Sequence, residues 1–442
     1  MKSVCSAVSV FNASGLSSRM VSQLARETGF IKRAGGKIDA TDFIAHFCAE
    51  SIRGTVSNND MATTLQAATG VSVSRQACWE RTDAECVVFF EAVLAALIRS
   101  RLAPQVWKLC PMFKRILIQD STIIQLPSKL FEQFSGVRNQ ITTTCHARIQ
   151  GVYDLCSGRF IQFSIDPYSK NDLSAASEIP VEPGDLVLRD RGYFLLSAIA
   201  MHKANNVETI SRYKHKTVFY DPTTLARIDL IELLTRDGQV DRMVLAGENK
   251  DVPIRLLAAP VPEEVANLRR MKAKKEMKGH SPSDEVLALL SWTIFLVSIE
   301  NPAITLCDIL ALYGLRWRIE NIFKTWKSHF HFAHLHQVSE DQLRVLLTAR
   351  LIMISICFHA YVPLCRAIRS HSTRPLSLMK FMHYVCKAPD QLTTLLLPRL
   401  WNIPLLKAIA RYCTYDKRKR RNFVDNVQAI FTDLSNIVTP LP

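Results

Sequence analysis

The sequence has no CxxC pair and no Cys/His cluster at the spacing of zinc ligands, although it carries 12 cysteines in 442 residues. A zinc-finger framework is excluded, and the cysteines are left as small, reduced core residues. No apolar stretch is long enough to span a bilayer. The most apolar run, Leu351 to Cys365, is short and flanked by Arg350 and Arg366, so it reads as a buried helix. The N-terminal MKSVCSAVSVFNASG is mildly apolar and interrupted by Ser and Asn, a poor secretory signal, which places the protein in the cytoplasm. Internal repeats and low-complexity tracts are also missing. Acid is scarce: 40 Asp and Glu stand against 55 Lys and Arg, for a net charge of +15 and a pI near 9.3. That imbalance implies a polyanionic partner, and with no spanning segment nucleic acid is favoured over a membrane surface.

What is present is a chain of ordinary globular composition, 48% apolar and 21% charged, long enough for two or three domains. Residues 1–105 read as helical, with apolar positions recurring at helical spacing from Phe43 to Phe47 and from Cys86 to Ile98. Inside that region, Met61 to Arg81 (MATTLQAATGVSVSRQACWER) outlines a helix, a turn at Gly70-Val71-Ser72, and a second helix opened by Ser72 or Ser74. This is the outline of a helix-turn-helix whose second helix, with Arg75, Gln76 and Arg81, would enter a major groove. It is equally the outline of any helical hairpin with a Gly turn, and Ser22 to Gly29 is as permissive.

From Phe113 the pattern turns to strands. Phe113 to Leu126 (FKRILIQDSTIIQL) is β-branched with one acid in its middle. Thr142 to Leu155 and Arg159 to Asp166 alternate and are joined by Cys156-Ser157-Gly158, a hairpin signal. Asp185 to Arg189 is a buried-type strand running into Asp190-Arg191-Gly192-Tyr193, followed by a helix over Phe194 to Asn205 and a strand over Val207 to Tyr213. Strands with interleaved helices predict a mixed α/β sheet. Thr217 to Tyr220, Ala226 to Leu234, Val240 to Ala246 and Ile254 to Ala259 predict a small all-β insertion, closed by a basic helix over Leu268 to Gly279. That charge run is either a solvated face or a phosphate contact. Ser291 to Ser298 is a central-type strand. Beyond Lys327 the chain reads as helical with breaks at Pro363, Pro375, Pro389, Pro398 and Pro404, and with a basic block, Lys417 to Arg421.

The stretch Tyr313 to Lys327 (YGLRWRIENIFKTWK) predicts one helix of about four turns. On it Tyr313, Arg316, Glu320 and Lys327 would share a wedge of about 60°, with apolar side chains over the remaining surface. A surface salt bridge between Arg316 and Glu320 is the plain alternative. Two further acids sit where burial rules make them costly. Asp120 interrupts an apolar strand, and Asp190 ends one at the edge where open α/β sheets bind ligands. Each could be satisfied locally, Asp190 by Arg189 or Arg191. Three carboxylates without His or Cys suit Mg2+ or Mn2+, which take hard oxygen ligands and phosphate oxygens. Two such ions would support in-line displacement at phosphorus.

The set QDST at Asp120, DRGY at Asp190 and Y-x2-R-x3-E-x6-K from Tyr313 to Lys327, in this order with an insertion before the third, resembles the DDE transposases of bacterial insertion sequences, specifically the insertion-sequence-four family. The likeness covers about residues 105–360. It implies an α/β ribonuclease-H-like catalytic core at 106–214 and 291–335, interrupted by a β-rich insertion at 215–290. Flanking these would be a helical DNA-binding domain at 1–105 and a helical dimerisation region at 336–442. It also implies that Asp120, Asp190 and Glu320 hold two divalent ions, and that Tyr313, Arg316 and Lys327 contact phosphates beside the scissile bond. Arg212 would contact the element end, Trp292 would stack on a flipped base, and Trp317 and Lys324 would extend the contact. The implied activity is cut-and-paste movement of a DNA element by a nucleoid-associated bacterial homodimer acting on terminal inverted repeats and target DNA. Two competitors stay open: a ribonuclease-H-like nuclease that cuts without joining, and a DNA-binding regulator without catalysis. The three acids disfavour the second, since carboxylates repel DNA phosphate unless metal neutralises them.

Overall fold

The computed structural model describes residues 7–33, 36–54, 56–100, 112–138, 143–277, 281–332, 335, 338–415, 427 and 429–434. The basic block at 417–421 and residues 278–279 of the expected basic helix lie outside the described residues. The chain forms two compact units. The first takes residues 1–108, 121–170 and 317–426, the second 109–120, 171–316 and 427–442.

The first unit opens with α1 (Ala7–Ala13), α2 (Ser18–Glu27), α3 (Ala40–Ser51), α4 (Asn58–Thr69), α5 (Arg75–Glu80) and α6 (Ala84–Arg99). Five of the six start where a Ser or Asp side chain accepts an otherwise orphaned backbone N–H: Ser17, Asp39, Ser57, Ser74 and Asp83. The expected helix-turn-helix outline is present. α4 stops because Gly70 adopts φ 75°, a left-handed conformation costly for any side chain, and Ser74 then caps α5. Phe30, Phe43, Phe47, Phe89 and Phe90 interlock between α3 and α6, with ring centroids 4.7–6.4 Å apart. β1 (Arg115–Leu126) passes from the second unit to the first after Asp120. β2 (Ser135–Arg138), β3 (Thr143–Asp154) and β4 (Arg159–Pro167) follow, each antiparallel to its neighbour, with β3 and β4 forming the expected hairpin.

The second unit is a mixed sheet. β5 (Asp185–Arg189), α7 (Leu196–Ala204) and β6 (Glu208–Arg212) come first, then β7 (Phe219–Tyr220), β8 (Arg227–Ile228), α8 (Leu230–Asp237), β9 (Val240–Ala246) and β10 (Val252–Pro260). α9 (Glu263–Glu276), α10 (Asp284–Leu289), β11 (Trp292–Val297) and α11 (Leu306–Gly314) complete it. β1, β5 and β6 run parallel, and β11 pairs antiparallel with β6. β10, β9, β7 and β8 extend the sheet antiparallel from there. The expected all-β insertion therefore needs correcting: α8 occupies most of the predicted strand Ala226 to Leu234. Asp229 caps it by accepting the Glu232 N–H at 3.0 Å, Leu233 and Leu234 are buried, and Gly238 ends it. Those cap and stop signals outweigh the short apolar alternation.

The first unit resumes with α12 (Trp317–His329), α13 (Glu340–Ala367), α14 (Leu378–Lys387), α15 (Leu392–Leu396) and α16 (Ile403–Tyr412). The expectation that no apolar stretch is long enough to span is corrected, since α13 is long and apolar enough to cross a membrane; its most apolar window is wholly buried in the protein, as expected of a buried helix at Leu351 to Cys365. Arg350, fully buried on it, donates to the Ser51 and Gly54 carbonyls at 3.0 and 2.8 Å. Pro363 does not break the chain as expected but lies inside α13, where burial of Phe358, Tyr361, Val362 and Leu364 offsets the lost helical hydrogen bond. The expected single helix from Tyr313 to Lys327 is likewise corrected. It is two helices, because α11 tightens at its end, with the Leu315 and Arg316 N–H groups donating three residues back at 3.0 Å, and α12 begins at Trp317.

On α7 His202 is completely buried, with Nδ1 3.2 Å from the Thr209 hydroxyl. Burial, then the nearby Arg189 charge, lowers its pKa to about 4. Since its unfolded value is near 6.5, stability from its neutral form is complete above that value and is lost as pH falls from about 6.5 towards 4. The loss is roughly 3 kcal/mol. Denaturant midpoints at pH 7 and 5 should fall less steeply for His202→Gln than for the native chain; equal slopes would remove His202 as the source.

Candidate active site

In the second unit the site begins with strand register. Leu117, Ile118 and Gln119 of β1 pair in parallel with Val187, Leu188 and Arg189 of β5. Asp120 and Asp190 are the next residue on each strand, so their backbones stand about 4.8 Å apart. Gln119 and Arg189 are buried on one face, and alternation turns Asp120 and Asp190 to the other. Arg189, expected as a local partner for Asp190, is thus on the wrong side. It is 2% exposed, burial lowers its pKa to about 10, and its Nε and Nη2 find no hydrogen-bond acceptor among the described residues.

Arg316, in the turn after α11, places Nη1 3.6 Å from the Asp120 carboxylate, with side chains 8% and 17% exposed. A pair this withdrawn from water feels a stronger field than a surface bridge does. Tyr313, at the end of α11, is buried with its ring edge-on to Phe295 of β11, centroids 4.9 Å apart. Arg212 ends β6, paired across the sheet with Phe295. Its guanidinium lies 5.9 Å from the Phe295 ring and 5.8 Å from the Tyr313 ring, while that of Arg316 lies 5.7 Å from Tyr313. Two aromatic rings therefore support two cations. Burial lowers the Arg212 pKa, and Arg191 and Arg316 add to this, while Tyr313 and Asp190 oppose it. Burial raises that of the Tyr313 phenol, an effect Asp190 reinforces and the two arginines oppose.

DRGY has a local logic as well. After Asp190 the chain makes a tight turn over Arg191 to Tyr193, with the Tyr193 N–H donating to the Asp190 carbonyl at 3.1 Å. Tyr193 is buried against Ala175 and Ala176. Gly192 faces the Asp172 carboxylate, and a Cβ there would sit 3.1 Å from its Oδ2, closer than side chains normally approach. Trp292 opens β11 half-buried against the apolar core of this unit. Sequence reasoning missed Arg269 of α9, which donates to the Trp292 carbonyl at 2.9 Å and the Thr293 hydroxyl at 3.2 Å. Burial, then the Arg212 and Arg191 charges, lowers its pKa. Only the basic run containing it could have signalled it.

In the first unit α12 buries Ile319, Ile322, Phe323 and Trp326. Trp326 meets the rings of Phe160, Phe163, Phe323 and Phe332 at 4.9–5.9 Å. Glu320 stands half-buried in the first turn. Trp317 is 56% exposed with the Lys324 ammonium 5.4 Å from its ring. Lys327 lies at the surface one turn before the helix ends, and desolvation of its ammonium lowers its pKa.

Among the described residues no group of three or more His, Cys, Asp or Glu side chains is gathered to hold a metal ion. Asp120 and Asp190, each the residue after the last paired positions of β1 and β5, offer the hard oxygen donors that Mg2+ or Mn2+ takes, with further positions filled by water or phosphate.

The pattern of the family described as "Transposase DDE domain" matches residues 111–356. The transposase for insertion sequence element IS231D of Bacillus thuringiensis subsp. finitimus is 29% identical over 393 residues, 83% of this chain and 82% of that protein. That for IS231B of B. thuringiensis subsp. berliner is 28% identical with the same coverage. Among solved structures, a cryo-EM synaptic complex of piggyBac transposase with hairpin DNA aligns over 95% of this chain and 88% of that one, with a TM-score of 0.44 and 9% identity.

If the carboxylate pair takes a divalent ion, Mn2+ titration followed by electron paramagnetic resonance should show Asp190→Asn binding about tenfold or more weakly than the native chain. Equal affinity would mean that the ion, if bound, sits elsewhere.

Proposed function

The chain belongs to the transposase DDE domain family, and we propose that it moves an insertion sequence by cut-and-paste transposition, as a member of the insertion-sequence-four group. The observation that carries this reading is the register of β1 and β5, which brings Asp120, midway along β1, beside Asp190, just past the end of β5, with Arg316 against the first. In this proposal the second unit contributes the core of a ribonuclease-H-like fold. Asp120, Asp190 and Glu320 would hold one or two Mg2+ or Mn2+ ions. Bound there, such ions supply Lewis-acid stabilisation of charge at phosphorus and a more acidic attacking water or 3′-hydroxyl.

The chain's own side chains do the positioning. Arg212 and Arg316, supported on Phe295 and Tyr313, present guanidinium forks suited to non-bridging phosphate oxygens. Their half-buried setting strengthens each contact relative to one in water. Arg316 has a second use: it screens Asp120 from an approaching phosphate. Lys327 would add a point charge, with Tyr313 beside the same phosphates. Trp292 would flank the displaced base and Trp317 and Lys324 the DNA beyond it. Hydrolysis would break the P–O3′ bond at the element end, water adding its oxygen to phosphorus and the 3′ oxygen leaving as a hydroxyl. In the same displacement the freed 3′-hydroxyl would attack a phosphorus of another strand, forming a new P–O bond as that strand's P–O3′ bond breaks and its 3′ oxygen leaves as a hydroxyl. Residues 1–105 would bind the terminal inverted repeats, and residues 336–442 would pair two chains in a synaptic complex.

Glu320→Gln should abolish cleavage of a duplex bearing the element end while leaving its binding within about threefold of native; loss of both together would make Glu320 structural. Native protein given pre-cut ends and a supercoiled plasmid should yield joined product. A protein that cuts intact ends but never joins them would be a nuclease.

A further inference from the structure

α9 is a surface the catalytic reading leaves unused. Its inner face carries Ala266, fully buried, and the two arginines that moor it. Arg269 holds the start of β11, and Arg270 donates to Glu263 and Asn267 at 2.7 and 2.9 Å and to the Ser291 hydroxyl at 2.5 Å. At 100° per residue the opposite face presents Leu268, Met271, Lys272 and Lys275 as one ridge. Leu268 and Met271 are 67% and 68% exposed, far more than side chains of this kind ordinarily are. Lys272 has only a long, solvent-exposed pairing with Glu276 at 3.7 Å, which contributes little. Lys274 and Lys275 make no ion pair among the described residues. The remaining acids of α9, Glu263 and Glu264, sit in its first turn, and Glu263 is engaged by Arg270.

We propose that the outer face of α9 lies along duplex DNA away from the scissile phosphate, with Lys272 and Lys275 on successive phosphates and Leu268 and Met271 against the deoxyribose wall between them. Charge complementarity selects this occupant. The ridge belongs to a chain of net charge +15, and its mooring residue Arg269 lies within the field of Arg212 and Arg191. Aliphatic side chains between lysines suit a sugar–phosphate backbone, which offers alternating apolar and anionic surface. The inference rests on DNA being the substrate but not on catalysis. It assigns a sequence-independent backbone contact to a helix that no catalytic step requires.

The test is fluorescence anisotropy of a labelled mixed-sequence duplex with the full chain, without divalent metal, across a KCl series. Each phosphate contact steepens the log–log dependence of affinity on salt by about 0.9. The double variant Lys272→Ala/Lys275→Ala should therefore lower the slope by about 2 and leave the thermal melt unchanged, since both side chains are exposed. Leu268→Ala/Met271→Ala should weaken binding severalfold at every salt concentration with the native slope. An unchanged slope in the lysine variant overturns the proposal. So does a shift of sedimentation state in the Leu268/Met271 variant with DNA binding untouched, which would make the ridge a contact between copies of this chain. A native protein that shows these slope differences but never cuts DNA in magnesium would sink the catalytic reading and leave α9 as a DNA-binding surface.

Discussion

Two acids on neighbouring strands, one residue beyond a paired position, need positive charge close by when partly withdrawn from water. The parallel register of β1 and β5 imposes this constraint on Asp120 and Asp190, and the surrounding structure answers it. Arg316 comes off the end of α11 onto Asp120. Arg212, ending the next strand, makes no salt bridge among the described residues but lies in the field of Asp190. The cations in turn need support while partly withdrawn from water, and the faces of Phe295 and Tyr313 provide it. Remove the register and neither the arginines nor the rings have a reason to be where they are.

The ordering of the sheet makes this possible. Because β11 runs antiparallel to β6, its last three residues, Phe295 to Val297, pair with the end of β6, and Phe295 falls opposite Arg212. Arg269 then fixes the first residues of β11 through backbone and hydroxyl contacts, tying α9 to the same edge. Gly192 matters for a similar reason: the turn after Asp190 brings the backbone against Asp172, so that any Cβ there would press on its carboxylate. Buried beneath, on the opposite face, Arg189 and His202 occupy positions whose titration burial has displaced, so the edge rests on a polar layer with groups left unsatisfied.

Much of this was legible from residue types. Asp185–Arg189 and Val240–Ala246 have as strands the bounds their sequences suggested, because short β-branched runs between turn residues leave few alternatives. Asp120 was visible as a misplaced acid in an apolar run, and Gly70 as a helix stop. The break at Leu315 and Arg316 was signalled only by Gly314, a poor helix former that ends α11; the next two residues suit a helix, and the break is a local tightening of the helix end. α8 hid behind the alternation of apolar and charged residues from Ala226 to Glu232, although Asp229 and Gly238 marked its ends. Pro363 misled because local chemistry predicts a break and burial overrides it. Arg269 was invisible for a different reason: its partners are a carbonyl and a hydroxyl more than twenty residues away, and no spacing rule connects them.

The central claim is that the adjoining aspartates serve phosphoryl transfer, and the most direct measurement is magnesium-dependent cleavage of an end-labelled duplex carrying the element terminus, native chain against Asp120→Asn. The account predicts a cut at the element end that requires metal and disappears in the variant. Native protein that binds the duplex tightly yet leaves it whole in both magnesium and manganese would contradict it.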